Sequence, residues 1–165
     1  MDSALSESIE RFTADPAAGQ ISPKVTATLA EGRTRLAAGP FSWETDLPQP
    51  VGGRNESPSP TAYLLGALAG CAVAFIHDTL APQFDVDITD LSATASCNTS
   101  LAGLLDVRGA APDLRQLRIE IQVTSTSPPD RVEAMQQAWL QRCPVYLALC
   151  NPNDVEVSFT PAQAG

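Results

Sequence analysis

The fold is decided by the stretch PSPTAYLLGALAGCAVAFIHDTLAP, residues 58–82. Within it, Ser59 can cap a helix, and Pro60 suits the first helical position because its missing N–H is not needed there. Pro82 lacks the N–H that would continue the helix. The sequence therefore predicts a helix over residues 61–81, which is about 31 Å long at 1.5 Å per residue.

The predicted helix is apolar on nearly all of its sides, so another element must enclose it. Its apolar run over residues 62–76 covers fifteen positions, fewer than the roughly 18–20 that a membrane span needs, and we interpret it as a buried helix. Small side chains recur at every fourth position: Ala62, Gly66, Gly70 and Ala74. Each glycine costs a helix roughly 0.5–1 kcal/mol relative to alanine, and close approach of another backbone is the compensation we expect. We therefore predict a partner subunit.

Strand patterns flank this helix in the sequence. Before it, three stretches of period two between residues 25 and 47 predict an antiparallel meander, and the Pro-, Gly- and Ser-rich residues 48–60 predict a loop. After it, the alternation changes phase at Thr89-Asp90, which indicates a β-bulge or a tight bend. Residues 117–124 alternate cleanly between apolar and polar side chains, as expected of a half-buried antiparallel strand.

The remaining elements are shorter. Residues 4–13 form an amphipathic pattern that Asp15-Pro16 would end, and residues 155–159 alternate like a final strand. A second helix begins after Pro128-Pro129, and three of its residues share a face: Val132, Met135 and Trp139. The order of strands, long helix, strands, helix and strand predicts an α+β fold in one domain over residues 1–165, without βαβ repetition.

The composition excludes several classes of function. With 44% hydrophobic residues among 165, the chain has enough apolar material for a core and is not disordered throughout. Its formal net charge of −9 repels phosphate backbones and anionic lipids, so we predict neither a nucleic-acid partner nor a membrane partner. The N-terminal residues carry acids instead of the positive and apolar regions of a signal peptide, which predicts a cytoplasmic protein.

Four cysteines could carry chemistry: Cys71, Cys97, Cys143 and Cys150. Their spacing lacks the C-x-x-C pairs of a structural zinc site, and a reducing cytosol disfavours a static disulfide framework, which leaves thiol chemistry or simple burial. Cys143 precedes Pro144 and can cap a new helical turn whose dipole favours a thiolate, so it is either a reactive thiol or a buried residue at a helix junction. We interpret Cys97 and Cys150 as packing residues.

The only histidine is His77, six positions after Cys71. At 100° per residue the two side chains lie about 120° apart around the helix, so His77 is poorly placed as the base for that thiol. A metal site that gathers the cysteines with His77 has the wrong ligand spacing, and we predict neither a metal nor a cofactor. The sequence also lacks a nucleophile elbow and a phosphate-binding glycine loop.

Residues 58–71 together with Cys143-Pro144-Val145 resemble the OsmC/Ohr family. Members of that family combine a proline-containing loop, a helix of the form LLxALAxC and a distant Cys-Pro-Val. Residues 25–47 are similar to the family's opening meander. The resemblance covers about residues 24–159 and leaves residues 1–23 outside as an N-terminal extension.

The resemblance implies an OsmC-like fold, in which antiparallel sheets wrap long central helices within an intertwined homodimer. It also implies a cofactor-free dithiol peroxidase site at the subunit interface. Cys71 matches the peroxidatic thiol, which attacks a peroxide and becomes a sulfenic acid, and Cys143 matches the resolving thiol that converts it to a disulfide. The implied substrate is an organic hydroperoxide, and an external dithiol reopens the disulfide.

In the family, an arginine from the opening meander holds the thiolate, and two arginines fall in the matching segment of this chain. Arg33 is favoured because it follows the glycine turn, while Arg35 matches the spacing to the next strand about as well. Hydroperoxide reductases of the family carry a carboxylate ten residues before the first cysteine, where this sequence has Thr61. Glu56 is the candidate substitute. The alternative interpretation is a divergent small-molecule-binding protein of this family with little or no peroxidase activity.

Overall fold

The structure, a computed structural model, describes residues 3–151 and 153–160. Its helices are α1 (Ser3–Ala14), α2 (Pro60–Phe75), α3 (Ala81–Phe84), α4 (Leu101–Leu104), α5 (Pro129–Arg142) and α6 (Pro144–Cys150). Its strands are β1 (Thr26–Ala30), β2 (Arg33–Ala38), β3 (Phe41–Thr45), β4 (Ile88–Asn98) and β5 (Arg115–Ser125). The strands form two antiparallel sheets, β1-β2-β3 and β4-β5, which confirms the predicted α+β class.

The three-stranded sheet confirms the predicted meander. Glu31 and Gly32 form the two-residue turn between β1 and β2 with φ of 53° and 72°, as in the type I′ turns that suit β-hairpins. A second two-residue turn joins β2 to β3 and sets their register, in which Arg35 lies directly opposite Glu44. The two turns thus place the side chains of the meander on defined faces.

The long helix extends further than the sequence predicts. α2, a π turn (Ile76–Leu80) and α3 form one continuous helix, so the expectation that Pro82 ends it is wrong. Proline clashes with the carbonyl four residues earlier in a regular α-helix, and the wider π turn before Pro82 relieves that clash. The helix ends at Asp85, whose φ of 53° is left-handed.

By length and composition alone, the 25-residue helix Pro60–Phe84 would suffice to cross a membrane. One of its sides lies in the protein core, where Ala72, Ile76 and Leu80 are at most 2% exposed. Another side carries the stripe of small residues, and all four members are exposed: Ala62, Gly66, Gly70 and Ala74. We therefore interpret it as the core helix of the fold, with one side that the described residues leave open.

The second sheet and α5 complete the core. The register of β4 and β5 shifts between Ile88 and Asp90, which confirms the predicted bulge. The face of α5 that the sequence predicts points inward, since Met135 and Trp139 are buried and Val132 packs against them. The buried cluster consists of nine residues: Ala72, Ile76, Leu80, Ala81, Val86, Met135, Ala138, Trp139 and Cys143.

Two expectations about the C-terminal part are wrong. Val155, Val157 and Phe159 alternate as a strand does, but residues 153–160 form no strand, and these side chains are 80%, 69% and 90% exposed. A strand needs a partner to pair its N–H and C=O groups, and no described strand pairs with residues 155–159. Cys150 is exposed at the end of α6 and is not a packing residue.

Candidate active site

Two elements that are distant in sequence bring Cys71 and Cys143 together. Cys71 lies on α2, and Cys143 joins α5 to α6. The two sulfur atoms are 3.3 Å apart, close enough for the two thiols to share a hydrogen bond. Cys143 is fully buried, and Cys71 is partly buried against the core. Because a disulfide bond is about 2.0 Å long, the sulfurs need to approach by only about 1.3 Å to form one.

The helix that begins after Cys143 contributes a donor to Cys71. The backbone N–H of Val145, in the first turn of α6, donates to the Cys71 sulfur, whereas the Cys143 side chain caps no N–H of this helix. Pro144 has no N–H, so Val145 supplies the first free donor of α6. The sequence predicts that the N-terminus of α6 stabilises a thiolate at Cys143. In the structure its N–H group acts on Cys71 instead.

The surroundings of Cys71 act on its protonation in opposite directions. Burial raises the pKa of the Cys71 thiol, and the hydrogen bond and charge of Cys143 raise it further. The N–H of Val145 lowers it, because a hydrogen bond to the thiolate stabilises the charged form. The raising causes prevail, so the described residues of one chain hold Cys71 as a neutral thiol at neutral pH.

An arginine–glutamate cluster, formed by Arg33, Arg35, Glu44 and Glu56, lies on and beside the three-stranded sheet. Arg33 contacts two carboxylates, with guanidinium nitrogens 3.2 Å from Glu44 and 2.9 Å from Glu56. Arg35 lies 3.6 Å from Glu44. The hydrogen bond to Glu44 and then the charge of Glu56 raise the pKa of Arg33, so its positive charge is permanent. Of the two candidate arginines, Arg33 is the one that both carboxylates hold.

Glu44 is a member of this cluster that the sequence patterns alone do not single out. The signal was present in the turn at Gly39-Pro40, because a two-residue turn fixes the register and thereby places Glu44 opposite Arg35. The Tyr63 hydroxyl donates to the backbone carbonyl of Glu44 at 2.7 Å. This bond ties the cluster to the first turns of α2, the helix that carries Cys71.

Among the described residues of one chain, no hydrogen bond or ion pair joins the thiol pair to the arginine–glutamate cluster. Among the described residues, Cys71 contacts Cys143 and Val145, whereas Arg33 pairs with the two glutamates. The His77 side chain is 70% exposed and pairs with the neighbouring Asp78. No three His, Cys, Asp or Glu side chains in residues 3–151 and 153–160 are arranged to hold a metal ion.

The thiol pair lies in the part of the chain that matches a known family. Residues 53–158 match the family model described as OsmC-like protein, and the chain therefore belongs to the OsmC-like family. The match includes α2 and the Cys143 junction, and it begins after the three-stranded sheet. No curated protein matches the sequence.

Solved structures share this fold at low sequence identity. The OsmC-like protein from Mycoplasma pneumoniae has a TM-score of 0.64 at 20% identity, and the alignment covers 79% of this chain and 89% of that chain. An organic hydroperoxide resistance protein OsmC from Legionella pneumophila has a TM-score of 0.55 at 15% identity, covering 79% and 90%. One from Elizabethkingia anophelis has a TM-score of 0.55 at 15% identity, covering 78% and 88%. The fold of this chain is thus OsmC-like.

Proposed function

We propose that this chain is a thiol-dependent peroxidase that reduces organic hydroperoxides. The observation that carries the proposal is the 3.3 Å separation between the sulfurs of Cys71 and Cys143. Two of the similar structures are named as organic hydroperoxide resistance proteins, which supports the choice of substrate class. A pair of thiols at this distance can give up two electrons by forming one disulfide.

The proposed reaction has three steps: oxidation of Cys71, formation of the disulfide, and its reduction. The Cys71 thiolate attacks the terminal oxygen of a hydroperoxide ROOH, the O–O bond breaks, and the alkoxide takes a proton and leaves as ROH. Cys71 is now a sulfenic acid. The Cys143 thiol attacks its sulfur, and water leaves as the disulfide forms. An external dithiol then reduces this disulfide by two exchange reactions and becomes a disulfide itself.

The surroundings of the thiol pair support an organic substrate. Cys143 is 0% exposed, and Cys71 packs against the apolar core. A peroxide that approaches the Cys71 sulfur therefore does so beside apolar side chains, where an alkyl or aryl group is favoured because it leaves water. Cumene hydroperoxide is a suitable probe because its aryl group meets this requirement.

Open apolar surfaces support a homodimer. The three-stranded sheet leaves Leu29 and Phe41 80% and 71% exposed. The small-residue stripe of α2 is exposed as well. A groove of about 370 Å³ lies beside Trp139 and Tyr146 and has mostly apolar walls, to which Ile119 also contributes. Apolar surface of this extent is usually covered by another chain.

In the proposed homodimer, the interface brings an arginine–glutamate cluster to each thiol pair. Arg33 would then be the cation that lowers the pKa of Cys71, with Arg35 as a supporting residue. Glu44 and Glu56 would take the place of the carboxylate that the family has at the position of Thr61. A thiol pair that must be reduced again after each turnover is consistent with a cytoplasmic location.

Peptide mapping after peroxide titration tests the proposed function. One equivalent of cumene hydroperoxide should consume two thiols and yield one disulfide between the peptides of Cys71 and Cys143. Cys71→Ser should abolish peroxide consumption, Cys143→Ser should leave a sulfenic acid that dimedone traps, and the matched control Cys97→Ser should behave like the wild type. Wild-type protein in which Cys71 stays reduced contradicts the proposal.

Two observations favour a second function, a small-molecule-binding protein with little peroxidase activity. The pKa of Cys71 is raised within one chain, and Thr61 stands at the family's carboxylate position. Wild-type protein that consumes no cumene hydroperoxide with any dithiol, and yet retains a small apolar molecule through purification, would establish this function in place of the first.

A further inference from the structure

Asp46, directly after β3, closes the loop that leads into α2. One of its carboxylate oxygens accepts the N–H of Leu47 at 2.8 Å. The other accepts the N–H groups of Arg54 and Glu56, each at 3.1 Å. The bond from Glu56 has the largest effect on this carboxyl, whose pKa lies below its usual range. Asp46 is therefore an ionised acceptor that fixes the backbone of Glu56.

The loop is bent so that two N–H groups reach the same oxygen. Asn55, between them, has a φ of 59°, a left-handed conformation that asparagine tolerates better than most residues. The Arg54 guanidinium donates to the carbonyl of Gly32 at 2.6 Å. Gly32 belongs to the turn immediately before Arg33, so the loop is also tied to the hairpin that carries this arginine.

Glu56 is the side chain that this loop delivers to the arginine–glutamate cluster. Its carboxylate lies 2.9 Å from Arg33, and the two side chains are 45% and 46% exposed. An exposed ion pair contributes little on its own, because two long side chains lose their freedom to hold one geometry. A backbone that is fixed beforehand reduces this loss and favours the pair.

We infer that Asp46 is a positioning residue, which holds the backbone of Glu56 and thereby keeps the Glu56 carboxylate on the Arg33 guanidinium. The effect of Asp46 runs through Glu56, since its own charge is the weakest of the influences on Arg33. The consequence for catalysis rests on the proposed function, in which Arg33 meets the thiol pair at the dimer interface.

A double-mutant cycle separates positioning from a general contribution to stability. Asp46→Ala and Glu56→Ala are made singly and together in the full chain, and kcat/KM for cumene hydroperoxide is measured for each folded variant. We expect each single variant to lose about tenfold and the double variant to lose no more than either one, because residues that act as a unit are not additive. Single losses that multiply in the double variant overturn the inference.

Two further variants make the cycle robust. Asp46→Asn keeps one oxygen acceptor and should lose less than Asp46→Ala; if the alanine variant does not fold, the cycle is run with asparagine under the same criterion. Asp113→Asn removes another surface carboxylate that pairs with an arginine, Arg115, and should leave kcat/KM unchanged. A loss of kcat/KM in this control equal to that in the Asp46 variants overturns the inference, because any surface carboxylate would then have the same effect.

A second measurement does not depend on peroxidase activity. The ¹⁵N NMR signals of the Arg33 guanidinium should shift in Asp46→Ala toward their position in Glu56→Ala, and they should not shift in Asp113→Asn. Arg33 signals that Asp46→Ala leaves unchanged overturn the inference. Wild-type protein that consumes no hydroperoxide contradicts the proposed function alone, and the NMR comparison still decides the role of Asp46.

Discussion

The backbone N–H of Val145 donates to the sulfur of Cys71, which lies on a different helix. The first turn of a helix carries N–H groups that its own backbone leaves free, and a side chain at the N-cap usually accepts one of them. In this chain the N-cap residue Cys143 turns its thiol to Cys71 instead. The Cys-Pro-Val segment thereby supplies both a donor that stabilises a Cys71 thiolate and a thiol that can form a disulfide with it.

The opposing effects on Cys71 predict the outcome of Cys143→Ala. This substitution removes a hydrogen bond and a charge that raise the Cys71 pKa and retains the N–H of Val145, which lowers it. We expect the Cys71 pKa to fall, so that thiolate forms at lower pH. The pH dependence of iodoacetamide alkylation at Cys71, followed by mass spectrometry, measures this midpoint. Cys97→Ala serves as the control, and a midpoint that rises or does not move in Cys143→Ala contradicts the explanation.

Much of the thiol site could be predicted from the sequence, because the elements that carry it have local signals. Ser59 caps α2 through the N–H of Ala62 as its residue type suggests, and Cys143 lies at the junction that Pro144 imposes. The distance between the two sulfurs has no local signal in the sequence. It follows from the packing of α2 against α6, which only the family resemblance implies.

The wrong predictions, and the role that the sequence does not reveal, all depend on tertiary structure. Pro82 does not end the helix because a π turn accommodates its ring, and residues 155–159 form no strand because no described strand pairs with them. Asp46 gives no signal in the sequence, since its role depends on the path of a loop that returns ten residues later to place Glu56 beside it. A local sequence pattern does not specify which residues a loop brings back into contact.

The close return of this loop predicts a large effect of Gly53→Ala. A Cβ atom at Gly53 would lie 1.8 Å from the carbonyl oxygen of Leu47, so the loop must open to accept it. We expect the free energy of unfolding to fall by about 1–3 kcal/mol, as for other overpacked sites. Chemical denaturation measures this change, and loss of the Arg33–Glu56 pair should accompany it.

The neighbouring Gly52 provides a matched control for this substitution. Its φ of 91° strains any side chain, but a Cβ there meets nothing within 4 Å. Gly52→Ala should therefore cost only the strain of the left-handed conformation, roughly 1–2 kcal/mol, and should leave the Arg33–Glu56 pair in place. Equal effects of the two substitutions on that pair would show that the contact with Leu47 is not what closes the loop.

The ionised state of Asp46 predicts that acid opens this loop. Folding lowers the pKa of Asp46 because its carboxylate accepts backbone N–H groups, so the stabilisation is present above the unfolded pKa of about 3.9 and is lost as the pH falls through the folded value. Amide hydrogen exchange at Arg54 and Glu56 should therefore be slow at neutral pH and lose its protection in acid. In Asp46→Ala, which removes the acceptor, the protection of these two amides should be weak at every pH, and strong protection that persists there would contradict the assignment.

The open side of the long helix predicts that Gly66→Leu blocks dimer formation. Gly66 is exposed on α2, and a Cβ there meets nothing within 4 Å, so a single chain has room for leucine and should gain about 0.5–1 kcal/mol of helix stability. In the proposed homodimer, a second helix approaches this stripe closely, and leucine prevents that approach. We expect light scattering to show a dimer for the wild type and a folded monomer for Gly66→Leu, with a loss of at least about tenfold in kcat/KM.

The matched control for this variant is Ala134→Leu, at an exposed position of α5, which should remain dimeric and active. A fully active dimer of Gly66→Leu would mean that the two long helices do not meet through this stripe.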